Sequence, residues 1–191
     1  MIKFQITKLD ISYVEQVKSI FDLQFGTGYF NFEQLKTVIY DKDSLCMIAL
    51  KEGEVIGVSI TLLGSAEKIA DNILKKKNWF IKKFDKKKCI ALRTDTAVKP
   101  GYEGKGVGSR LLKEGVQLLE KSCDAVISII WKEGNSLVMN RLMEKNQFEL
   151  VLTISKYWDE DSIEKAYICP KCQTVLCKCS ALFYVKKIKN Q

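Results

Sequence analysis

Two groups of residues in this chain have the types and spacing that chemistry needs. The first lies in "VKPGYEGKGVGSRLL", where Gly101, Gly104, Gly106 and Gly108 fall within eight positions. They follow a strand pattern stopped by Pro100 and lead into a helical one. A strand, a glycine-rich turn and a helix start make an arrangement that binds phosphate. The first-turn amides have no intrahelical partners, and the helix dipole adds partial positive charge there. Glycines let the backbone approach an anion closely and adopt positive φ. Two well-known glycine codes do not fit. A P-loop carries Lys-Ser/Thr after its last glycine, whereas Ser109-Arg110 follow Gly108; a dinucleotide site needs GxGxxG, whereas Gly104, Gly106 and Gly108 spell GxGxG.

The second group is Cys169, Cys172, Cys177 and Cys179 in "YICPKCQTVLCKCS", a C-x2-C-x4-C-x-C pattern. Four thiolates so close in sequence can close a tetrahedral zinc site, and four cysteines leave no open position for catalysis. Such a site is structural; the alternative is four free thiols in a loop. The chain has seven cysteines, an odd number, and its start resembles no signal peptide, so the expected location is a reducing cytoplasm. Cys89 and Cys123 read as buried structural thiols. There are no histidines, which excludes Ser-His and Cys-His mechanisms and any imidazole-ligated metal.

The elements that must position these groups are legible from periodicity. "IKFQIT" alternates as a strand, and "DISYVEQVKSIFDLQF" is a helix capped by Asp10 or Ser12, with Val14, Val17, Ile20 and Phe21 on one face. "FEQLKTVIYD" is a second helix, and "SLCMIALKEGEVIGVSITLLG" is a hairpin. "CIALRTDTAVKP" is a long strand, followed by the glycine loop and a helix to about Ser122. "DAVISIIW", "FELVLTISKYW" and "ALFYVKKI" are the later strands, with a helix in "NSLVMNRLMEKN". This predicts one mixed α/β (α+β) unit over 1–191, with a central sheet flanked by helices. It carries a lysine-rich insertion at 65–88 and a cysteine-rich hairpin insert at 159–180. No apolar run approaches the roughly 18–20 residues of a membrane span, so no membrane partner is expected.

Of the net charge of +8, a surplus of seven sits in Lys75 to Lys88, which has eight lysines against Asp85. With Trp79, Phe80, Ile81 and Phe84 interleaved, the patch can attract nucleic acid, anionic lipid or an acidic substrate. The reading preferred over nucleic-acid binding is a solvated amphipathic helical insertion whose aromatics touch the core.

The glycine loop resembles the acyl-CoA loop of the GNAT superfamily of N-acetyltransferases, V-x-P-x-x-[RQ]-G-x-G-[IV]-G-S followed by R-L-L. Here it stands as Val98, Pro100, Glu103, Gly104, Gly106, Val107, Gly108, Ser109 and Arg110-Leu111-Leu112. The order of elements agrees over nearly the whole chain. The resemblance implies a GNAT-type acyl-CoA N-acyltransferase fold and acetyl-CoA as co-substrate. Backbone groups near Ala97 and Val98 would bond the pantetheine arm where the long strand splays from "DAVISIIW". Amides of Gly104, Lys105, Gly106, Val107, Gly108 and Ser109 would hold the pyrophosphate. Asn135 would contact the cofactor or serve as an N-cap. The sequence departs from the family at two places. Glu103 stands for Arg or Gln, its charge partly offset by Lys99 and Lys105. Met143, in "LMEKNQF", stands where many members have a tyrosine that protonates the leaving thiolate.

Acetyl transfer to an amine needs a neutral amine, an aligned carbonyl and a proton for the thiolate. A thiol of pKa about 8.5 leaves fairly well, so a dedicated acid helps without being essential. Without histidine, the base is a carboxylate, a tyrosine or a water chain. Asp95 is the first catalytic candidate; the alternative is a structural carboxylate paired with Arg93 or a lysine. Tyr157 and Tyr29 are expected at the acceptor pocket, or as core and rim aromatics. The leading expectation is an acetyl-CoA-dependent N-acetyltransferase with a zinc-stapled hairpin, acting on a small-molecule amine or on a peptide or protein amine. A non-catalytic acyl-CoA-binding module and a nucleic-acid-associated zinc protein are the rivals. Acceptor and oligomeric state stay open.

Overall fold

The computed structural model describes residues 2–132 and 137–188. One seven-stranded sheet crosses it in the order β1-β2-β3-β4-β5-β7-β6. The strands are β1 (Gln5–Lys8), β2 (Ser44–Lys51), β3 (Glu54–Gly64), β4 (Ile90–Val98), β5 (Ala125–Lys132), β6 (Glu149–Ile154) and β7 (Ser180–Lys187). Every neighbouring pair is antiparallel except β4 and β5. The helices are α1 (Val14–Phe25), α2 (Phe32–Tyr40), α3 (Ala66–Ala70), α4 (Lys77–Phe84), α5 (Val107–Leu119), α6 (Leu137–Lys145) and α7 (Asp159–Glu164). The parallel pair requires a crossover, and α5 supplies it.

Alternation along the strands divides the apolar residues between two faces. On one face Val58, Ile60 and Ala97 pack with Val17, Ile20 and Phe21 of α1 and Leu35 of α2. Farther along the same face Ile90, Leu92, Ile127 and Phe183 meet Ile69 of α3 and Phe80 and Phe84 of α4. On the other face Met47, Ala49 and Ile56 meet Val107 and Leu111 of α5. There Ala91, Val126 and Tyr184 meet Leu112, Val116 and Leu119 of α5 and Met143 of α6. The apolar positions of α5 recur three and four residues apart and so form one stripe. Gly57 lets that helix lie close to β3, since a Cβ there would come within 2.6 Å of Val107 Cγ1.

The helix starts follow local chemistry. Asn31 and Gln34 form a reciprocal capping box at α2. Asp10 caps a short turn, Ile11–Tyr13, that leads into α1. In the 65–88 segment Phe80 and Phe84 are buried while Lys76, Lys82, Lys83, Lys86 and Lys88 are exposed. β6 ends sooner than the sequence pattern suggests, because the chain turns at Lys156, where φ is +50°, and enters α7. No helix among the described residues is long and apolar enough to cross a membrane.

Candidate active site

The parallel pairing of β4 with β5 runs only from Ile90↔Ala125 to Arg93↔Ser128. Beyond that rung the two strands continue unpaired with each other, leaving a V-shaped opening between Thr94–Val98 and Ile129–Lys132. A cleft of about 350 Å³ fills the opening and extends past both faces of the sheet. At its mouth the glycine loop turns into α5. Gly106, at φ +88°, is the N-cap and makes no side-chain cap; the first helical bond runs from Arg110 N to Gly106 O. The preceding amides therefore have no helical acceptor, and an anion can take that place. Lys105, Gly106 and Ser109 are exposed, whereas Val107 is buried and fixes the helix to the sheet.

Glu103 has a role that sequence reasoning missed. Its carboxylate accepts from Gly101 N at 2.7 Å and from Gln24 Nε2 at 3.0 Å, and the same Nε2 donates to the Val98 carbonyl at 2.7 Å. Glu103 thus latches the loop to α1. The expected offset of its charge by Lys99 is corrected, because Lys99 forms an ion pair with Glu54, which also accepts from Tyr102 Oη. Lys105 sits over the Tyr102 ring, 5.2 Å from its centroid.

Within the opening, Arg93 and Asp95 face opposite ways. Ile60 pairs with Asp95 and Thr61 with Arg93, so Thr94 is an extra residue, a bulge that resets the alternation. Asp95 lies on the α1 side, buried, and accepts from Tyr29 Oη at 2.8 Å. Burial raises its carboxyl above the ordinary value, opposed in part by hydrogen bonds from Thr94 and Tyr29 and by the charge of Lys165. Tyr29 is in turn raised by its own burial and by Asp95. Arg93 lies on the α5 side, where it donates to Ser59, Ser128 and Thr96 hydroxyls at 3.3, 3.3 and 3.0 Å. The expected Arg93–Asp95 ion pair is absent; burial alone brings the guanidinium down to about 10. Met143 is buried on α6 and lines the same cleft.

The cysteine insert closes the α1 side of the opening, which its sequence position did not suggest. Tyr167 stacks edge-on against Tyr29 with centroids 5.2 Å apart, and its hydroxyl donates to Asp161, which is also paired with Lys165. Gly26, at φ +110°, lies so near the insert that a Cβ would overlap the Ile168 carbonyl. Cys169, Lys171 and Cys177 line the cleft beside Tyr29 and Asp95. The sulfurs of Cys169, Cys172, Cys177 and Cys179 all lie within 4.8 Å of one another, with Cys169–Cys179 at 3.9 Å and Cys172–Cys179 at 3.5 Å. Tetrahedral zinc with Zn–S of about 2.3 Å separates its sulfurs by about 3.8 Å, so the donor set fits. Backbone N–H groups of Cys172 and Lys178 point at Cys169 and Cys172 sulfurs, and Cys177 N donates to Ser162 on α7.

Other expectations fall elsewhere. Tyr157 is not at the cleft; it is buried in the α3–α4 core, and its hydroxyl accepts from Leu74 N at 3.1 Å. Cys89 and Cys123 lie side by side at 2.6 Å, away from the cleft, with Cys123 buried and Cys89 half-buried. Asn135 lies outside the described residues.

A parallel strand pair that opens beneath a glycine-bound helix N-terminus, inside this strand order, defines the acyl-CoA N-acyltransferase fold. The acetyltransferase (GNAT) family profile matches residues 14–147, and the chain belongs to that family. Among solved structures it is similar to Arabidopsis thaliana NAA60 in complex with acetyl-CoA, with TM-score 0.69 and 15% identity over 98% of this chain and 100% of that one. It is also similar to the ribosomal-protein-S18-alanine N-acetyltransferase from Escherichia coli (TM-score 0.68, 14% identity, 99% and 96% covered). The polyamine N-acetyltransferase of Drosophila melanogaster gives 0.64 and 13% over 97% and 100%. No curated protein sequence matches the chain.

Proposed function

We propose that this protein is an acetyl-CoA-dependent N-acetyltransferase that acts on a primary amine. The observation that carries the reading is the opening between β4 and β5, with uncapped amides at one end and a buried carboxylate, Asp95, within it. In this reading the amides of Gly104 through Ser109 hold the pyrophosphate. The peptide groups of Val98 guide the pantetheine arm alongside the Ala97 side chain. The amine enters beneath the insert, between Tyr29, Tyr167 and Asp95. Asp95, whose carboxyl burial has raised, accepts the proton that the attacking nitrogen must lose. The relatives' named acceptors include a protein alanine and polyamines, so both macromolecular and small amines belong in the screen. Turnover of acetyl-CoA across amine classes, read by release of free thiol, is the test. Saturable cofactor binding with no thiol release for any amine would favour a non-catalytic acyl-CoA-binding module, the reading that Met143 suggests.

The four cysteines are proposed to hold one structural zinc, supported by their mutual distances and by the N–H groups aimed at their sulfurs. Free thiols and a thiolate-ligated metal suit a reducing compartment such as the cytoplasm. The whole described chain then acts as one catalytic unit, with the 159–180 insert serving as a wall of the cleft.

A further inference from the structure

Arg93 is a buried cation with no anion bonded to it among the described residues. It is 6% exposed, it donates to three neutral hydroxyls, and burial lowers its ionisation from the ordinary value. Removing such a charge from water is costly unless a partner offsets it. The ladder ends at this residue, Arg93↔Ser128 being the last rung before the strands part. The guanidinium lines the cleft on the α5–α6 side, the side that also carries Met143. An anion bound in the cleft would supply that partner.

Distance indicates which anion. Arg93 is five residues from Val98, about 16 Å of strand at roughly 3.3 Å per residue. That is the reach of an extended pantetheine arm whose phosphates rest on the α5 N-terminus. We propose that Arg93 stabilises the negative charge that develops on the cofactor's sulfur, the role left vacant by Met143. The inference rests on the acetyltransferase reading above. In the reaction, the amine nitrogen forms the C–N bond and the carbonyl π pair moves to oxygen. That pair then returns and the C–S bond breaks with its electrons on sulfur. The ammonium proton leaves by way of Asp95, the guanidinium keeps its protons, and the thiolate is protonated by water on release. The side chains that Arg93 bonds are Ser59 of β3, Thr96 of β4 and Ser128 of β5, none of which titrates near neutrality, and Met143 of α6 lines the same cleft. Asp95 is turned to the opposite face by the bulge at Thr94.

Binding of the free thiol product separates this role from a structural one. Wild-type protein should bind coenzyme A more tightly as pH rises from about 6.5 to 8.5, with release of a proton seen by calorimetry in buffers of different ionisation enthalpy. Desulfo-coenzyme A should show no such dependence. Arg93→Met should flatten the coenzyme A profile and lower kcat about 100-fold, with KM for acetyl-CoA changed less than about threefold. Arg93→Lys should retain part of both. Arg93→Met should also match or exceed the wild-type melting temperature, because an uncompensated buried charge has gone. An unchanged pH profile in Arg93→Met, or in Arg93→Gln if the first variant fails to fold, overturns the role of Arg93 alone. Failure of wild-type protein to bind either coenzyme A or the desulfo analogue overturns the acetyltransferase reading itself.

Discussion

Arg93 and Asp95 are neighbours but one on β4, yet they stand on opposite faces of the sheet, because Thr94 between them is an extra residue with no counterpart in the β3 register. The bulge keeps a buried cation and a buried carboxylate from neutralising each other. Each is left to act on its own side of the opening, Arg93 toward α5 and α6 and Asp95 toward α1 and the cysteine insert.

The Asp95 carboxyl, raised by burial, should set the acid limb of the rate profile, with kcat/KM rising as pH passes through its value. Tyr29→Phe removes a hydrogen bond that lowers that value and should move the limb to higher pH. Asp95→Asn should abolish the limb along with most of the activity. Folding has its own sign: the native carboxyl holds its proton to higher pH than the unfolded chain does. Stability is complete below the ordinary carboxylate range and falls as pH rises to the raised value. Asp95→Asn should therefore raise the melting temperature at about pH 8 and leave it little changed at about pH 4. A limb that persists in the Asn variant would assign the base elsewhere.

Gly106→Val should weaken acetyl-CoA binding by about tenfold or more. A β-branched residue at φ +88° is strained, and its side chain stands where a phosphate must approach the amides. Apart from the adjoining chain, no atom of the described residues lies within 4 Å of a Cβ at this position, so the folded core should survive. Calorimetry on a variant with native circular dichroism decides it; unchanged affinity would remove the phosphate site from this loop.

Glu103→Gln should tighten acetyl-CoA binding about threefold at low salt, with a smaller gain at high salt. The charge near the bound phosphates is removed, while an amide oxygen remains to accept from Gly101 N. Equal affinities for the two proteins at low ionic strength would mean that the latch holds the carboxylate clear of the phosphates.

Purified protein should carry about one zinc per chain by elemental analysis, and Cys172→Ser should lose most of it. The melting temperature should fall, since metal binding to the native insert is linked to folding. Because Cys169, Lys171 and Cys177 line the cleft, the amine KM should rise several-fold while acetyl-CoA affinity changes little. Metal-free wild-type protein, prepared under reducing conditions without chelators, would refute the site. Zinc loss with an unchanged amine KM would show that the insert does not shape the acceptor side.

By itself the sequence determined the mixed sheet, the glycine loop, the cysteine quartet and most of the elements, though its pattern ran β6 on to Trp158 and did not mark α7. Those features are local: hydrophobic period, capping residues, glycines where a helix must begin uncapped, and thiols within ten residues of one another. Tertiary structure alone decided which way Arg93 and Asp95 face, since a bulge is a property of two strands in register and no side-chain pattern within β4 reveals it. It decided that Glu103 binds Gln24, 79 residues away, and that the Lys99 charge is taken by Glu54. It also decided that the insert lies over the opening, through Tyr167 against Tyr29 and the close approach of Gly26 to the Ile168 carbonyl, contacts between segments far apart in sequence. Contacts between distant segments depend on where the backbone hydrogen bonds carry them, and the sheet fixes that only once all seven strands have assembled.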